Sequence, residues 1–434
     1  MMVGSDSALR LPKCFRVRQN FACQEIAEIA TTVRAELDRG GLSTLVHPGQ
    51  RVAIAVGSRG IRNLALIVRT VVAAAQEIGA DVVVTPAMGS HGGATAEGQI
   101  AMLASLGVDD KSIGCPVRAT METVSAGDVS IRGGDVSLPL HFDRLCSEAD
   151  HVILVNRIKP HTRLVGDLQS GLCKMLMIGL GNHEGAVAYH RAFPAFDYQL
   201  DKVTPAAIPR ILSRMPITLG LAIVEDALDQ TSLIEAVRSE DFLIREPELL
   251  KSATDRMPGL PFDRADLLIV DRIGKEISGT GLDTNVVGRK ASDKNAGPNE
   301  WPKIRQIYVR SLSQKSGGNA SGIGIAEYCR SEVVREADMK TTYINCLTSE
   351  HVTAAAIPMH FETDAEVLHA AVGQACRSTA AQIRWMWIRD TLSLGEVVCS
   401  EAYFDEAQSR PDLTILQPPD GIKFDSLRQL KNAF

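Results

Sequence analysis

The first third of the chain alternates between short apolar runs and segments with helical periodicity. Residues 51–60, RVAIAVGSRG, form a β-branched apolar run that ends in glycine and polar residues, and residues 63–80 follow with the spacing of a helix. Residues 81–93, DVVVTPAMGSHGG, repeat the strand and the glycine-rich turn, and residues 95–107 repeat the helix. This βαβα order predicts a parallel sheet covered by helices.

The same alternation continues further along the chain. Residues 151–161, HVILVNRIKPH, predict a third buried strand, residues 170–190 predict one or two helical stretches around a Gly-Leu-Gly turn, and residues 216–227 predict another strand. Ligands of such sheets lie beyond the carboxyl ends of the strands. We therefore expect the loops 57–62 and 88–94 to open onto one crevice, with the loop after the third strand as a candidate third member.

The second half of the chain predicts a second α/β domain. A chain of 434 residues exceeds the usual size of one hydrophobic core. Residues 256–265, RMPGLPFDRA, contain two prolines and one glycine and predict the boundary between domains 1–258 and 259–434. Whether the last residues return to the first domain is left open. Further strands, loops and a helix are predicted at 266–281, 306–312, 324–330 and 363–377, and the polar segment 289–303 predicts a long mobile loop. The predicted fold class is two α/β domains with mainly parallel sheets and an active-site cleft between them.

Composition excludes several classes of partner. The net charge is -6, and no run of Lys and Arg resembles a nucleic-acid footprint, so we expect no nucleic-acid partner. The sequence contains no signal peptide and no apolar stretch long enough to cross a bilayer, which predicts a cytoplasmic protein without a membrane partner. Nine dispersed cysteines predict reduced thiols. The oligomeric state is left open.

Two histidines lie in turns that are expected to converge. His91 lies in the glycine-rich turn MGSHGG, and His161 follows Lys-Pro at the exit of the third predicted strand. If the loops meet, two imidazoles could flank one substrate. The alternative is that each histidine bonds a nearby backbone carbonyl.

Lys174 and two later histidines are candidates for binding a cofactor or metal. Lys174 lies in an apolar stretch, GLCKMLMIGL, where desolvation would lower its pKa and suit it to covalent attachment. The alternative is a lysine whose amine reaches water at a helix end. His183 and His190 are seven residues apart, so they would share one helix face, and either could be a metal ligand.

The ordered set of these motifs resembles the nickel-dependent lactate racemase family. The set consists of strand-GSRG, GSHGG, NRIKPH, S-G-x-x-K and a histidine sixteen residues later, and it covers about the first 225 residues. The resemblance implies a nickel-pincer nucleotide (pyridinium-3,5-bisthiocarboxylic acid mononucleotide) as cofactor, with cofactor-biosynthesis proteins as partners. It implies that Lys174 is the covalent tether, that Ser170 and Gly171 of the same motif contact the cofactor, and that His190, or alternatively His183, binds nickel.

The resemblance also implies an isomerase, a racemase or epimerase that inverts C2 of a 2-hydroxy acid. His91 and His161 would be its acid/base pair, because inversion requires a proton-transfer group on each side of a planar intermediate. Hydride would leave C2 for the cofactor. The first loop reads S-R-G-I-R-N where the family has D-x-T-R-P, and Cys173 replaces an arginine before the lysine. The substrate, a short hydroxy acid or a larger sugar acid, is therefore left open.

Candidate substrate-binding residues lie in both predicted domains. A carboxylate prefers a forked donor, which suggests Arg59, with Arg62 as the alternative. In residues 274–285, GKEISGTGLDTN, the family brings polar residues across the cleft, which implicates Lys275, Thr280, Asp283 and Asn285. The alternative is that these residues only form turns.

Two other function classes compete with this interpretation. A nicotinamide-type dehydrogenase would also begin with strand, glycine turn and helix, but Gly-Ser-Arg-Gly lacks the G-x-G-x-x-G fingerprint and no acidic residue ends the second strand. A non-catalytic binding protein could keep the fold, but it would not need to retain Lys174 and His91.

Overall fold

The computed structural model describes residues 11–58, 60–131, 136–431 and 434, and it divides the chain into two units. The 22–257 unit consists of Ala22–Met257, and the 258–434 unit combines Pro258–Phe434 with the segment that ends at Phe21. The division after Met257 lies within one residue of the predicted boundary. Residues 11–21 belong to the 258–434 unit and not, as predicted, to the first domain.

Strand β1 (Cys14–Gln19) explains this difference. It pairs antiparallel with two strands near the end of the chain, in a register that joins Cys14 to Ser400 and Gln19 to Leu413. Phe15 and Val17 alternate into the core and are 0% exposed. A single alternating strand shows which of its faces is buried but not which sheet it joins, because its hydrogen-bond partners lie almost 400 residues away.

The 22–257 unit is built around a five-stranded sheet and one antiparallel strand pair. Its strands are β2 (Arg51–Val56), β3 (Asp81–Pro86), β4 (Thr123–Ile131), β5 (Val136–Asp143), β6 (His151–Arg157), β7 (Ile217–Glu225) and β8 (Thr231–Arg238). Its helices are α1 (Ile29–Arg39), α2 (Leu42–Leu45), α3 (Leu64–Glu77), α4 (Ala96–Ser105), α5 (Asp110–Ile113), α6 (Arg144–Ser147), α7 (Leu172–Lys174), α8 (Asn182–Ala192), α9 (Thr204–Leu212) and α10 (Phe242–Arg256). Among the residues described, the sheet has the order β3-β2-β6-β7-β8, and β4 pairs with β5.

The parallel strands of this sheet bring three strand ends to one edge. Strands β3, β2, β6 and β7 are mutually parallel, and only β8 runs antiparallel to its neighbour. Residues 52–56 of β2 are all buried, because helices or loops cover both faces of the sheet with separate apolar clusters. The carboxyl ends of β2, β3 and β6, at Val56, Pro86 and Arg157, therefore lie at the same edge.

The 258–434 unit contains a larger mixed sheet. Its other strands are β9 (Arg264–Ala265), β10 (Leu267–Ile273), β11 (Lys303–Ile304), β12 (Ile307–Leu312), β13 (Tyr328–Arg330), β14 (Met359–Phe361), β15 (Trp385–Ile388), β16 (Glu396–Ser400) and β17 (Leu413–Asp420). Its helices are α11 (Thr284–Val287), α12 (Ser331–Glu336), α13 (Met339–Thr348), α14 (Asp364–Gly373) and α15 (Phe404–Ser409). The described strands have the order β14-β13-β12-β10-β15-β16-β1-β17, parallel through β15 and antiparallel beyond it. The last strand thus stays in this unit.

The predicted mobile loop 289–303 is irregular but anchored at its start. The side chain of Arg289 is 0% exposed and bonds Glu327 at 3.1 Å and the carbonyl of Ile304 at 3.0 Å. Its guanidinium also donates to the carbonyl of Asp293 within the loop. The sequence did not reveal this anchor, because the partner carboxylate lies far along the chain. None of the helices in the described residues is long and apolar enough to cross a membrane.

The position of β1 generates a stability prediction. Phe15→Ala should destabilise the 258–434 unit by about 3–5 kcal/mol, because it removes a fully buried ring that packs edge-on against Phe404. The three tryptophans all lie in residues 258–434, so tryptophan fluorescence during urea unfolding reports on this unit. Arg18→Ala, at an exposed position of the same strand, should change stability by less than about 0.5 kcal/mol. An unchanged midpoint for Phe15→Ala would contradict the strand assignment.

Candidate active site

The loops after β2 and β3 meet at the carboxyl edge of the sheet. His91 Nδ1 lies 2.6 Å from the hydroxyl oxygen of Ser58, which joins the second loop to the first. The N–H of Gly89 donates to the carbonyl of Gly179 at 3.0 Å and so joins the second loop to the helical segment after Lys174. The two loops that were expected to share a crevice therefore touch each other.

The loop after β6 reaches the same place. The side-chain amide of Asn156 donates to the carbonyl of Gly171 at 2.8 Å, and the N–H of Lys159 donates to the carbonyl of Ser170 at 2.9 Å. Gly57 packs against the same asparagine, since a Cβ on Gly57 would lie 2.8 Å from Asn156 Oδ1. Ser170 and Gly171 are thus tied back onto the end of β6.

His161 is held by backbone N–H groups. Its Nδ1 accepts from the N–H groups of Arg163 and Leu164, both at 3.0 Å. The backbone N–H of His161 donates to the side-chain oxygen of Gln169 at 2.9 Å. Because Nδ1 is an acceptor, the neutral ring carries its proton on Nε2. At Nδ1 the partners of the imidazole are therefore backbone N–H groups.

Lys174 ends α7 and is half-buried. The chain continues directly into a π-helical segment, Met175–Gly179, in which every residue is buried. Cys173 and Met175, the neighbours of the lysine, are likewise buried. Lys174 therefore emerges from an apolar helical segment, as the sequence predicted.

A buried carboxyl group, which the sequence did not indicate, lies beside this segment. Glu246 of α10 is 1% exposed, and its Oε2 accepts from the N–H of Cys173 at 2.8 Å. Burial raises the pKa of Glu246 to about 7, against the opposing effect of the backbone donors. A Cβ on Gly171 would lie 2.5 Å from Glu246 Oε1, so the glycine makes room for the carboxyl group. The local sequence REPELL carries no sign of this contact.

The two candidate nickel ligands differ in exposure. His183 is exposed, whereas His190 is half-buried and its ring centroid lies 5.1 Å from that of Phe193. Along one continuous helix, sixteen residues would place His190 about 24 Å from Lys174. Asn182 interrupts the helical path with a left-handed φ of 50°. The break permits the chain to change direction between the lysine and the histidines.

One of the two predicted substrate-binding arginines lies in the described part of the chain. Arg59 lies outside the described residues. The side chain of Arg62 is exposed, and its backbone N–H donates to Glu225 at 2.6 Å. Glu225 also pairs with Arg157 at the end of β6, so this carboxylate links β6, β7 and the first loop.

The polar loop 274–285 lies in the 258–434 unit, and several of its contacts are those of turns. Thr280 donates to the carbonyl of Leu282 at 2.6 Å, and Lys275 donates to the carbonyl of Gly279 at 2.7 Å. The Asp283 side chain accepts from the backbone and side chain of Asn285 and thereby caps α11.

Lys290 is a further cation at this loop, and the sequence did not single it out. It lies 3.3 Å from Asn285 Oδ1, and burial lowers its pKa to about 8. Its position after a polar stretch gave no sign of this burial.

Nowhere in the described residues do three or more His, Cys, Asp or Glu side chains form a group that could hold a metal ion. The donors that the described loops offer at this edge include the imidazoles of His91 and His161 and the amine of Lys174. This donor set fits a cofactor that brings its own metal ligands.

Residues 13–198 match the family model of the lactate racemase N-terminal domain. This part of the chain is similar to the N-terminal domain of lactate racemases. The lactate racemase apoprotein from Thermoanaerobacterium thermosaccharolyticum is 13% identical, with a TM-score of 0.51 over 92% of each chain. A protein from Thermotoga maritima is 15% identical, with a TM-score of 0.49 over 78% of this chain and 84% of its own. The curated proteins include none that matches this chain.

The likeness to the lactate racemase apoprotein concerns the fold. It confirms the predicted mixed α/β class with mainly parallel sheets. At 13% identity it carries no information on individual residues. The predicted cleft between the domains, and the roles of the residues named above, stay predictions.

The close contact between the first and third loops can be tested by substitution. Gly57→Ala should destabilise the protein by about 1–3 kcal/mol, because the new methyl group would displace Asn156 and weaken its bond to Gly171. Gly60→Ala is the matched control, since its nearest neighbouring atom lies 3.9 Å away. Thermal unfolding measures both variants. Equal effects of the two substitutions would contradict the contact.

Glu246 predicts a dependence of stability on pH. Its raised pKa means that this carboxyl group ionises first in the unfolded chain, so the contribution of Glu246 to stability falls as pH rises from about 4.5 to about 7. Glu246→Gln removes this titration, and its stability relative to wild type should therefore rise across that window, by about 3 kcal/mol. Urea unfolding at several pH values measures the difference. Glu77→Gln is the control, because Glu77 is an exposed carboxylate whose pKa is lowered by Arg34, and its stability relative to wild type should not rise across this window. If the stability difference between Glu246→Gln and wild type did not change with pH, the titration of a buried Glu246 would be contradicted.

Proposed function

We propose that this protein is an isomerase that inverts C2 of a 2-hydroxy acid or sugar acid, with His91 and His161 as its proton-transfer groups. The observation that carries the proposal is the convergence of three loops in a lactate racemase N-terminal domain. The loops that bear His91 and His161, and the residues just before Lys174, are joined by hydrogen bonds at one edge of the sheet. Such an edge is where α/β enzymes bind their ligands.

The two histidines suit different halves of the proton transfer. His161, with Nδ1 accepting two backbone N–H bonds, presents its proton on Nε2 and would donate it to a developing alkoxide. His91 has Nδ1 against the Ser58 hydroxyl, and with that hydroxyl as acceptor its Nε2 would take the substrate hydroxyl proton. In the reverse direction the two rings exchange these tasks.

Lys174 is the proposed covalent tether for a nickel-pincer nucleotide, and His190, with His183 as the alternative, is the proposed nickel ligand. The half-buried position of both Lys174 and His190 supports this choice over the exposed His183. When bound, the cofactor supplies hydride acceptance and return at C2, which is the difficult step for an unactivated C–H bond. Cofactor-biosynthesis proteins would act on this chain as partners.

On the substrate side, Arg59 is proposed to bind the carboxylate, with Arg62 as the alternative. Either guanidinium would offer paired N–H donors to a carboxylate. Lys275, Thr280, Asp283 and Asn285 are proposed as contacts from the 258–434 unit. Their turn-forming bonds would then serve to hold the shape of that loop.

The proposal is tested with protein produced together with the cofactor-biosynthesis enzymes. We expect a mass adduct on Lys174 and bound nickel, and the adduct should be absent in Lys174→Ala. Proton NMR should show interconversion of epimers for at least one acid in a panel of 2-hydroxy and sugar acids. His91→Ala and His161→Ala should each lower kcat by about 10²–10⁴-fold while retaining adduct and nickel.

Matched histidine variants separate the roles in the same preparation. His190→Ala should lose nickel and His183→Ala should retain it, while His47→Ala, at an exposed position before the amino end of β2, should change nothing. An unmodified wild-type mass without nickel would rule out the cofactor. Interconversion that survives in His91→Ala or His161→Ala would remove that residue from proton transfer.

A further inference from the structure

Glu246 is a buried acid that the proposed chemistry does not use. It lies in α10, more than seventy residues after Lys174, and is 1% exposed. One carboxyl oxygen accepts from the N–H of Cys173 at 2.8 Å, and the N–H of Leu172 also interacts with the carboxyl group. The other oxygen, Oε1, is buried without a hydrogen-bond partner among the described residues. A buried acid with an unsatisfied oxygen is costly, so its presence requires a compensating gain.

The contact is made at the start of the helical segment that carries Lys174. Helices begin with backbone N–H groups that have no partner within the helix, and a carboxyl group that accepts from them stabilises the first turn. Here those N–H groups belong to the two residues directly before the lysine. The first turn is closed by the bond from the Met175 N–H to the carbonyl of Gly171 at 3.0 Å. Lys174 lies within this turn, so the carboxyl group restrains the backbone on which the amine is carried.

The surroundings of the carboxyl group leave little freedom for the segment to shift. A Cβ on Gly171 would lie 2.5 Å from Glu246 Oε1 and 2.6 Å from Ile158 Cδ1. The carbonyl of Gly171 is held by Asn156. The segment is therefore held on one side by Asn156 at the end of β6 and on the other by Glu246 of α10.

We propose that Glu246 is a positioning residue for Lys174: its carboxyl group holds the first turn of the segment and thereby presents the lysine amine in one orientation for covalent attachment. The proposal rests on the proposed function only in naming Lys174 as the tether. The carboxyl group acts through the backbone and touches neither substrate nor cofactor.

The titratable group that contacts Glu246 directly is the thiol of Cys173. Burial, followed by the charge of Glu246, raises the pKa of that thiol well above its usual range, so the thiol stays protonated near neutral pH. The charge of Asp201 also raises the pKa of this thiol, by a smaller amount. The charge at this position near neutral pH is therefore set by Glu246 itself.

The experiment measures the amine of Lys174 in the protein without cofactor. Competitive acetylation with trace acetic anhydride, followed by peptide mass spectrometry, gives the labelling rate of Lys174 relative to the exposed Lys111. Glu246→Met removes the acceptor, and the relative rate should rise at least threefold as the half-buried amine loses its restraint. Glu246→Gln keeps an acceptor oxygen and should stay within twofold of wild type. Asp143→Asn is the matched control, because Asp143 is a buried carboxyl group that caps α6 through the N–H of Cys146; it should leave the rate unchanged.

A pH series keeps the proposal falsifiable if Glu246→Met does not fold. Between pH 6 and 8.5 the relative rate of wild type should change with a midpoint near 7, because the carboxyl group ionises there, and Glu246→Gln should lack this change. Hydrogen exchange of the peptide that contains residues 172–175 should follow the same pattern.

Each outcome bears on one of the two proposals. A folded Glu246→Met protein with an unchanged rate, a wild-type pH series without the midpoint, or an Asp143→Asn variant with the same rise would overturn the positioning role. A wild-type chain that takes no adduct during coproduction would overturn the proposed function instead, because the labelling of the amine is measured without cofactor.

Discussion

Close contact between backbone segments at the carboxyl edge of the five-stranded sheet is the constraint on which the candidate site depends. At Gly57, Gly171 and Gly179, a Cβ would lie 2.5–2.8 Å from Asn156 Oδ1, Glu246 Oε1 and the Ala87 carbonyl oxygen respectively. At Gly89 the left-handed φ of 59° adds a conformational requirement. These contacts let loops from different strands bond directly to one another, so His91, His161 and Lys174 lie on one connected backbone framework.

Buried carboxyl groups give this framework a second feature. Glu225 joins Arg157 to the first loop, and Glu246 holds the turn before Lys174. Neither group is free to relax into water, so each ties a segment of the candidate site to a strand or helix of the scaffold. A site for proton transfer and covalent attachment benefits from such restraint, because misplacement by about 1 Å costs reactivity. His161 illustrates the same point, since two backbone N–H groups determine its tautomer.

Much of the first unit could be predicted from the sequence, because its parallel strands are continuous apolar runs that end in glycine turns. The strands at 51–56, 81–86 and 151–157, the helix after each of the first two, and the meeting of the first two loops all follow from local patterns. The ordered motifs also indicated the lactate racemase N-terminal domain whose family model residues 13–198 match. The pair β4–β5, the helix α10 and the partner sheet of β1 could not be predicted, because their positions depend on contacts distant in sequence.

The sequence by itself determined the elements and the chemical types at their ends, since hydrophobic periodicity and turn residues act over a few positions. Only the tertiary structure decided which buried group meets which. It placed Glu246 beside Cys173 and Arg289 beside Glu327, and it placed β1 between the last two strands. It also separated the half-buried His190 from the exposed His183, which share a face by spacing. The physical reason is that burial and hydrogen-bond partnership are properties of packed neighbours, and a linear spacing does not specify those neighbours.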